Sequence, residues 1–266
     1  MPEFNKEGLR NTLFVAVALC LVCSVIVSTA AVLLKPVQKA NQALDQKQNI
    51  LRAAGVLPAG ATVDAAGRTV DDLFAEFEAR AVDLTTGRYA EGVDPSTIDP
   101  IKSAKDPARS IDLEESQDIA TIGRRENISV VFVRETPEGG IDKLVLPVRG
   151  MGLWGTLFGY LAIEGDLQTV AGLGFYAQKE TPGLGGEVDN PNWKALWPGV
   201  RLFDDRGVPA VRLVKTRSPE GNAAAVHEVD ALSGATLTNK GVENLVRFWT
   251  GELGFGPFLN YLKSTS

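Results

Sequence analysis

The stretch Asp230-Ala231-Leu232-Ser233-Gly234-Ala235-Thr236 sets two hydroxyls around two very small residues. It then runs through Leu237-Thr238-Asn239-Lys240-Gly241 into a helix-like segment from Val242 to Trp249. The start of a helix carries unpaired backbone N–H groups and the positive end of the helix dipole. It therefore suits an anion such as a phosphate. Gly234 and Ala235 let a bulky group come close to the main chain. Lys240 lies four residues after Thr236 and shares its face if the helix begins there, so its ammonium is placed to pair with a phosphate. A plainer reading of the same residues is a capped helix start with Ser233 or Thr236 as the N-cap.

Two further stretches could touch a ligand. Gly150-Met151-Gly152-Leu153-Trp154-Gly155 combines glycines that permit close backbone approach with an indole that offers a flat face to an aromatic ring. Its plain reading is a Gly-rich turn with a partly buried Trp. Lys179-Glu180-Thr181-Pro182-Gly183-Leu184-Gly185-Gly186 holds a Pro-Gly pair that favours a type II turn. Such a loop can present amide N–H groups, Glu180 and Thr181 to a polar ring edge, with Glu180 as a proton acceptor. Its plain reading is a surface turn. His227, between Val226 and Glu228 on an expected strand, reads as structural. Trp193 and Trp197, four apart, fit one apolar helix face. Cys20 and Cys23 read as a C-x-x-C, either small apolar residues at a helix contact or thiols that ligate a metal together with a neighbouring protein.

Composition narrows the chemistry. With a net charge of −6, the chain does not fit nucleic acid as its main partner. Two cysteines and one histidine cannot build a zinc or iron–sulfur centre in the soluble part. Redox chemistry here would need a borrowed cofactor.

The elements that must carry these residues follow from the patterning. Thr12 to Leu34 is an uncharged run of 23 residues. As a helix it spans about 34 Å, enough to cross a bilayer. A cleaved signal peptide is the rival reading, but the apolar run continues past the small residues Ser28-Thr29-Ala30-Ala31. From Lys35 to about Gly55 an amphipathic stalk continues the helix. Thr69 to Leu84 is a second helix candidate, with Val70, Leu73, Phe74, Phe77 and Ala81 on one face. Residues 85–127, broken by Pro95, Pro100 and Pro107, read as an ordered but irregular excursion. Strands are expected at Ile128–Arg134, Lys143–Val148, Thr156–Ile163, Thr169–Tyr176, Val208–Lys215 and Ala223–Val229, with short helices at Pro191–Leu196 and after Thr236. The class is α+β: one transmembrane helix, then a mainly antiparallel sheet with flanking helices. The division is a tail at 1–11, an anchor at 12–34, a stalk and irregular segment at 35–127, and a binding domain at 128–266.

The heptad 230–236 resembles the flavinylation motif Asp-x-x-Ser/Thr-Gly-Ala-Thr/Ser. The ordered set of anchor, Gly152-Leu153-Trp154, Glu180 to Gly185, Gly185 to Pro191, Ser233 to Thr236 and the tail Trp249 to Leu259 resembles the C-type subunits of the bacterial sodium-translocating NADH:quinone oxidoreductases. That resemblance implies FMN joined covalently, through a phosphoester, to Thr236 by a separate flavin transferase. It implies that Ser233, Gly234 and Ala235 shape the attachment loop. Leu153, Trp154 and Glu180, Thr181, Gly183, Leu184 and Gly185 would border the flavin ring. It also implies a complex of six subunits in the bacterial inner membrane, with the soluble domain on the periplasmic side and single electrons passed between redox centres. The chain alone should not oxidise NADH, since it has no Gly-x-Gly-x-x-Gly signal. The G-type subunits of the related Rnf complexes share the anchor and the flavin motif; the Gly254 to Leu259 tail and the longer middle favour the sodium pump. A membrane-anchored binding module without a redox role is the third possibility.

Overall fold

The computed structural model describes residues 6–219 and 221–265. Helix α1 runs unbroken from Lys6 to Ala53, with Pro36 inside it. It takes in the apolar run and the stalk, and Gly55, at φ 73°, follows its end as expected. Residues 6–11 of the anticipated tail are already helical, and residues 1–5 lie outside the described residues. The apolar side chains of the run are exposed, from Leu9 to Leu34. The hydroxyls of Thr12 and Ser24 donate to the carbonyls four residues back, Gly8 and Cys20. Among the described residues this is the one helix long and apolar enough to cross a membrane. Cys20 and Cys23 are free and exposed on it.

The chain divides between Asp45 and Gln46, and everything from Gln46 on forms one compact unit. Its elements are α2 (Val70–Phe74), β1 (Glu78–Asp83), β2 (Arg88–Tyr89), α3 (Pro100–Lys105), β3 (Ser110–Asp112), β4 (Arg124–Glu126) and β5 (Ile128–Glu135). Then come β6 (Ile141–Met151), β7 (Thr156–Glu164), β8 (Val170–Ala177), α4 (Pro191–Lys194), β9 (Arg212–Val214), β10 (Glu228–Asp230), α5 (Thr236–Thr250) and α6 (Gly256–Thr265). The main sheet is antiparallel, in the order β2-β1-β5-β6-β7-β8. The hairpins around residues 136–140 and 152–155 fall where the turn residues placed them.

Three expectations change. The helix over 69–84 stops at Phe74. Thr69 and Asp72 form a capping box that starts it. Beyond it, Glu78 to Asp83 pairs with β5, Val82 opposite Ser129. Phe77 and Ala81 fit a helix face and a strand face equally, and pairing with β5 decides. The strands expected at 208–215 and 223–229 shrink to β9 and β10, which pair parallel to each other outside the main sheet. Pro209 lacks a ladder donor, and residues 225–227 form a 3-10 turn. His227 sits in that turn with Nδ1 2.7 Å from the Arg201 carbonyl, a structural contact. The excursion at 85–127 holds short elements, two of them begun by an Asp cap followed by Pro, at Asp94-Pro95 and Asp99-Pro100.

The sheet buries both faces. Leu144, Leu146, Val148, Leu157 and Leu161 pack against α5 and α6 through Leu245, Val246, Trp249, Phe258 and Leu259. The alternate residues Phe132, Val145, Tyr160 and Ala162 pack against Ile50, Leu51, Leu57, Leu73 and Phe77. The end of α1 and strand β1 therefore belong to the same sheet-centred unit as residues 128–265.

Candidate functional site

The 230–236 stretch is a loop that carries the chain from β10 into α5. Its two ends are held. The Trp193 indole N–H donates to the Asp230 carbonyl at 2.9 Å. The Asn239 side chain pairs with both backbone groups of Leu232: its Oδ1 accepts from the N–H at 2.9 Å and its amide donates to the carbonyl at 2.8 Å. Between these ties Gly234 takes φ 72°, which few other residues adopt cheaply. A Cβ there would press on Leu184 Cδ2 at 3.0 Å.

Helix α5 begins with Ala235 as N-cap and has no side-chain cap. Neither Ser233 nor Thr236 caps it, so the plain reading of the heptad fails. Thr236 is the first helical residue and is exposed, as are Ser233 and Gly234, while Ala235 is buried. The first backbone N–H groups of α5 thus lie beside an accessible hydroxyl, without a side chain satisfying them. Lys240 is exposed, but its ammonium lies 2.8 Å from Glu243, one turn further along α5. Glu243 also accepts from the Leu213 N–H at 3.0 Å, which ties α5 to β9.

The stretches 150–155 and 179–186 converge on α5 through one carboxylate. Glu180 is buried, and its Oε1 accepts from the N–H groups of Leu153 and Trp154 at 3.0 and 2.9 Å. Its Oε2 accepts from the buried hydroxyl of Thr238, in the first turn of α5. Glu180 is therefore not an open proton acceptor at a ring edge. Thr181, Pro182 and Gly183 form an exposed turn, with Gly183 at φ 76° and the N–H groups of Leu184 and Gly186 both donating to the Thr181 carbonyl. Gly185 is buried against Thr238 and Glu180. The loops leave large apolar side chains in the open: Trp154 is 65% exposed, Leu237 60% and Leu184 45%, with Leu153 close behind.

Helix α5 itself is seated by close contacts with the sheet. A Cβ on Gly241 would strike the Met151 carbonyl oxygen, so the helix rides directly on the β6–β7 hairpin. At its far end the Trp249 indole donates to the Arg149 carbonyl at 2.7 Å, and the Arg149 guanidinium lies over the Trp249 ring. Upstream, Glu228 in β10 accepts from the Ser218 N–H at 2.6 Å and its hydroxyl at 3.0 Å. The backbone bond, above all, holds the Glu228 carboxyl below the usual carboxylate range, against the opposing effect of burial.

This arrangement can hold an anion at an uncapped helix start and a flat apolar ring against Trp154, Leu153 and Leu184. The described residues contain no cluster able to hold a metal ion.

The FMN-binding domain family matches residues 152–251, which takes in Leu153 and Trp154, the 179–186 loop and the 230–236 stretch. Similar proteins extend beyond that window. The C subunit of the Na(+)-translocating NADH-quinone reductase from Pseudomonas aeruginosa is 51% identical over 97% of this chain and 98% of its own length. The protein of that name from Vibrio vulnificus is 47% identical over 96% of each chain. The crystal structure of Shewanella oneidensis NqrC, at 38% identity, covers 83% of this chain and 98% of its own with a TM-score of 0.73. The crystal structure of the corresponding reductase protein from Parabacteroides distasonis has a TM-score of 0.62 at 30% identity, covering 85% of this chain and 96% of its own.

Proposed function

This chain belongs to the family of C subunits of the Na(+)-translocating NADH-quinone reductases, and on that premise we propose that it carries FMN as a phosphoester on Thr236 and passes single electrons between redox centres of a sodium-pumping NADH:quinone reductase. One observation supports the attachment point above all: Thr236 stands exposed as the first residue of a helix without a side-chain cap. A phosphate bonded to its Oγ would meet open N–H groups and the positive end of α5. Ser233 and Gly234 leave that approach clear, and Asn239 fixes the loop's course.

FMN, when bound, supplies one- and two-electron redox chemistry. The chain supplies position. Trp154, Leu153 and Leu184 offer the ring an apolar bed, with Thr181 and Gly183 at its border. Gly185 and Gly152 keep space for the Glu180 carboxylate behind that bed. The attachment stretch holds one carboxylate, Asp230, which ends β10 at the opposite end of the heptad from Thr236, while Lys240 pairs with Glu243. A threonine hydroxyl needs activation before it attacks phosphorus. We assign that step to a separate flavin transferase; Lys240 pairs with Glu243 through one donor and keeps others with which to meet the phosphate. The chain would work as one of six subunits of a bacterial inner-membrane complex, anchored by α1, with its soluble unit on the periplasmic side.

The test is the full-length chain coproduced with a flavin transferase. Denaturing gels should show flavin fluorescence, and intact mass should show one added FMN; Thr236→Ala should lose both. Fluorescence that survives the substitution moves the acceptor to another hydroxyl. A colourless wild-type chain would instead make it a binding module without a redox role.

A further inference from the structure

We propose that Glu180 is a positioning residue: a buried strut that sets the distance between the Leu153–Trp154 loop and the first turn of α5, without itself touching the cofactor. What the strut positions rests on the FMN reading above; the strut itself rests on the contacts.

Every hydrogen-bond partner of the carboxylate is a donor. One oxygen takes the two backbone N–H groups of Leu153 and Trp154, and the other takes the Thr238 hydroxyl. With three bonds on its two oxygens and the side chain buried, the carboxylate faces inward rather than toward a ligand. The Leu153 and Trp154 amides are likewise spent inward, so that loop meets a ligand with side chains rather than N–H groups. The slot is cut to the carboxylate. A Cβ on Gly152 would come within 2.6 Å of Oε1, and one on Gly185 within 2.7 Å of Oε2 and 2.5 Å of Thr238 Oγ1. The backbone of Glu180 is fixed in turn by Gln178, whose Oε1 accepts its N–H at 2.6 Å. Thr238 lies two residues past Thr236 in the same helix. The strut therefore links the exposed indole to the turn that bears the attachment hydroxyl.

Glutamine separates spacing from charge. At position 180 its carbonyl oxygen can serve both amides, while its NH2 group points at Thr238 Oγ1, which then accepts. Alanine removes all three bonds. The experiment uses the full-length chain in detergent, with and without transferase treatment. Amide exchange at Leu153 and Trp154 is read on the flavin-free chain, and FMN loading and fluorescence anisotropy on the treated one. E180A should speed exchange at both amides by about tenfold or more, as expected for lost hydrogen bonds, and lower the anisotropy or the loading. E180Q should restore both readouts to near the wild-type level. An E180Q chain as impaired as E180A would overturn the proposal, because charge or proton transfer would then matter rather than spacing. So would an E180A chain with both amides as slow as before. Should E180A fail to fold, T238V deletes one of the three bonds; it should loosen both readouts in part, and no change in either would also overturn the idea. If wild-type chain gains no FMN yet shows this exchange pattern, the flavin reading falls and the strut stands.

Discussion

Glu228 stands two residues before the loop that carries Thr236, and its two bonds to Ser218 fasten the start of that loop. Because those bonds depress its folded-state pKa, the unfolded chain takes up the proton more readily. The stabilisation is therefore complete above the ordinary glutamate range and is lost as pH falls through the folded value. Glu228→Gln should melt below wild type at neutral pH, with the gap closing in acid; a gap that stays constant across the range would show that packing, not charge, fixes this residue. At this scale the sequence was legible where chemistry is written in side-chain type. Ser233 and Gly234 stand exposed in the loop that leads into α5, Thr236 stands exposed as its first helical residue, and Trp154 and Leu153 stand open. It was not legible where an ordinary residue finds a distant partner. Nothing about Asn239 or Thr238 in a helical run points to Leu232 or Glu180. Lys240 has the right spacing to reach Thr236, but Glu243 is as near along the helix and carries the opposite charge.

Gly241 decides how close α5 lies to the sheet. Alanine would normally favour a helix by about 1 kcal/mol over glycine. Here its Cβ would meet a backbone oxygen far inside van der Waals contact, and an overpacked contact costs about 1–3 kcal/mol. Main chain cannot turn aside as a side chain can, so the clash should win. Gly241→Ala should lower Tm by a few degrees, at ~2–4 °C per kcal/mol for a unit this size, and reduce FMN loading by displacing the first turn from the β6–β7 hairpin. A higher Tm in a calorimeter would show that the hairpin yields. A lone glycine inside a helical pattern was the available signal for this contact. The long strands and the turns between them were equally plain, since alternation and turn residues agreed over 128–177. The stretch Glu78 to Asp83 was not, because β1 pairs along its whole length only with β5, far along the chain, while the short β2 covers just its last two residues.

The unit that carries the site begins well before its sequence motifs. Ile50, Leu51 and Leu57 are almost wholly buried beneath the sheet. Loss of a buried aliphatic side chain costs about 2–5 kcal/mol, and a domain's whole stability is about 5–15 kcal/mol. A chain beginning at Gln46 should fold with a cooperative melt; one beginning at Pro58 should lose it and bind a hydrophobic dye. A cooperative melt from the shorter chain would mean that the second core is dispensable. The proline in the long N-terminal helix has its own effect on how that helix meets lipid. Pro36 lacks the N–H that would otherwise satisfy the carbonyl of Val32. That oxygen falls at the end of the apolar run, where headgroup water can donate to it. Four residues earlier in the chain, the same proline would strand a bare carbonyl in hydrocarbon, so its position marks how deep this helix can sink.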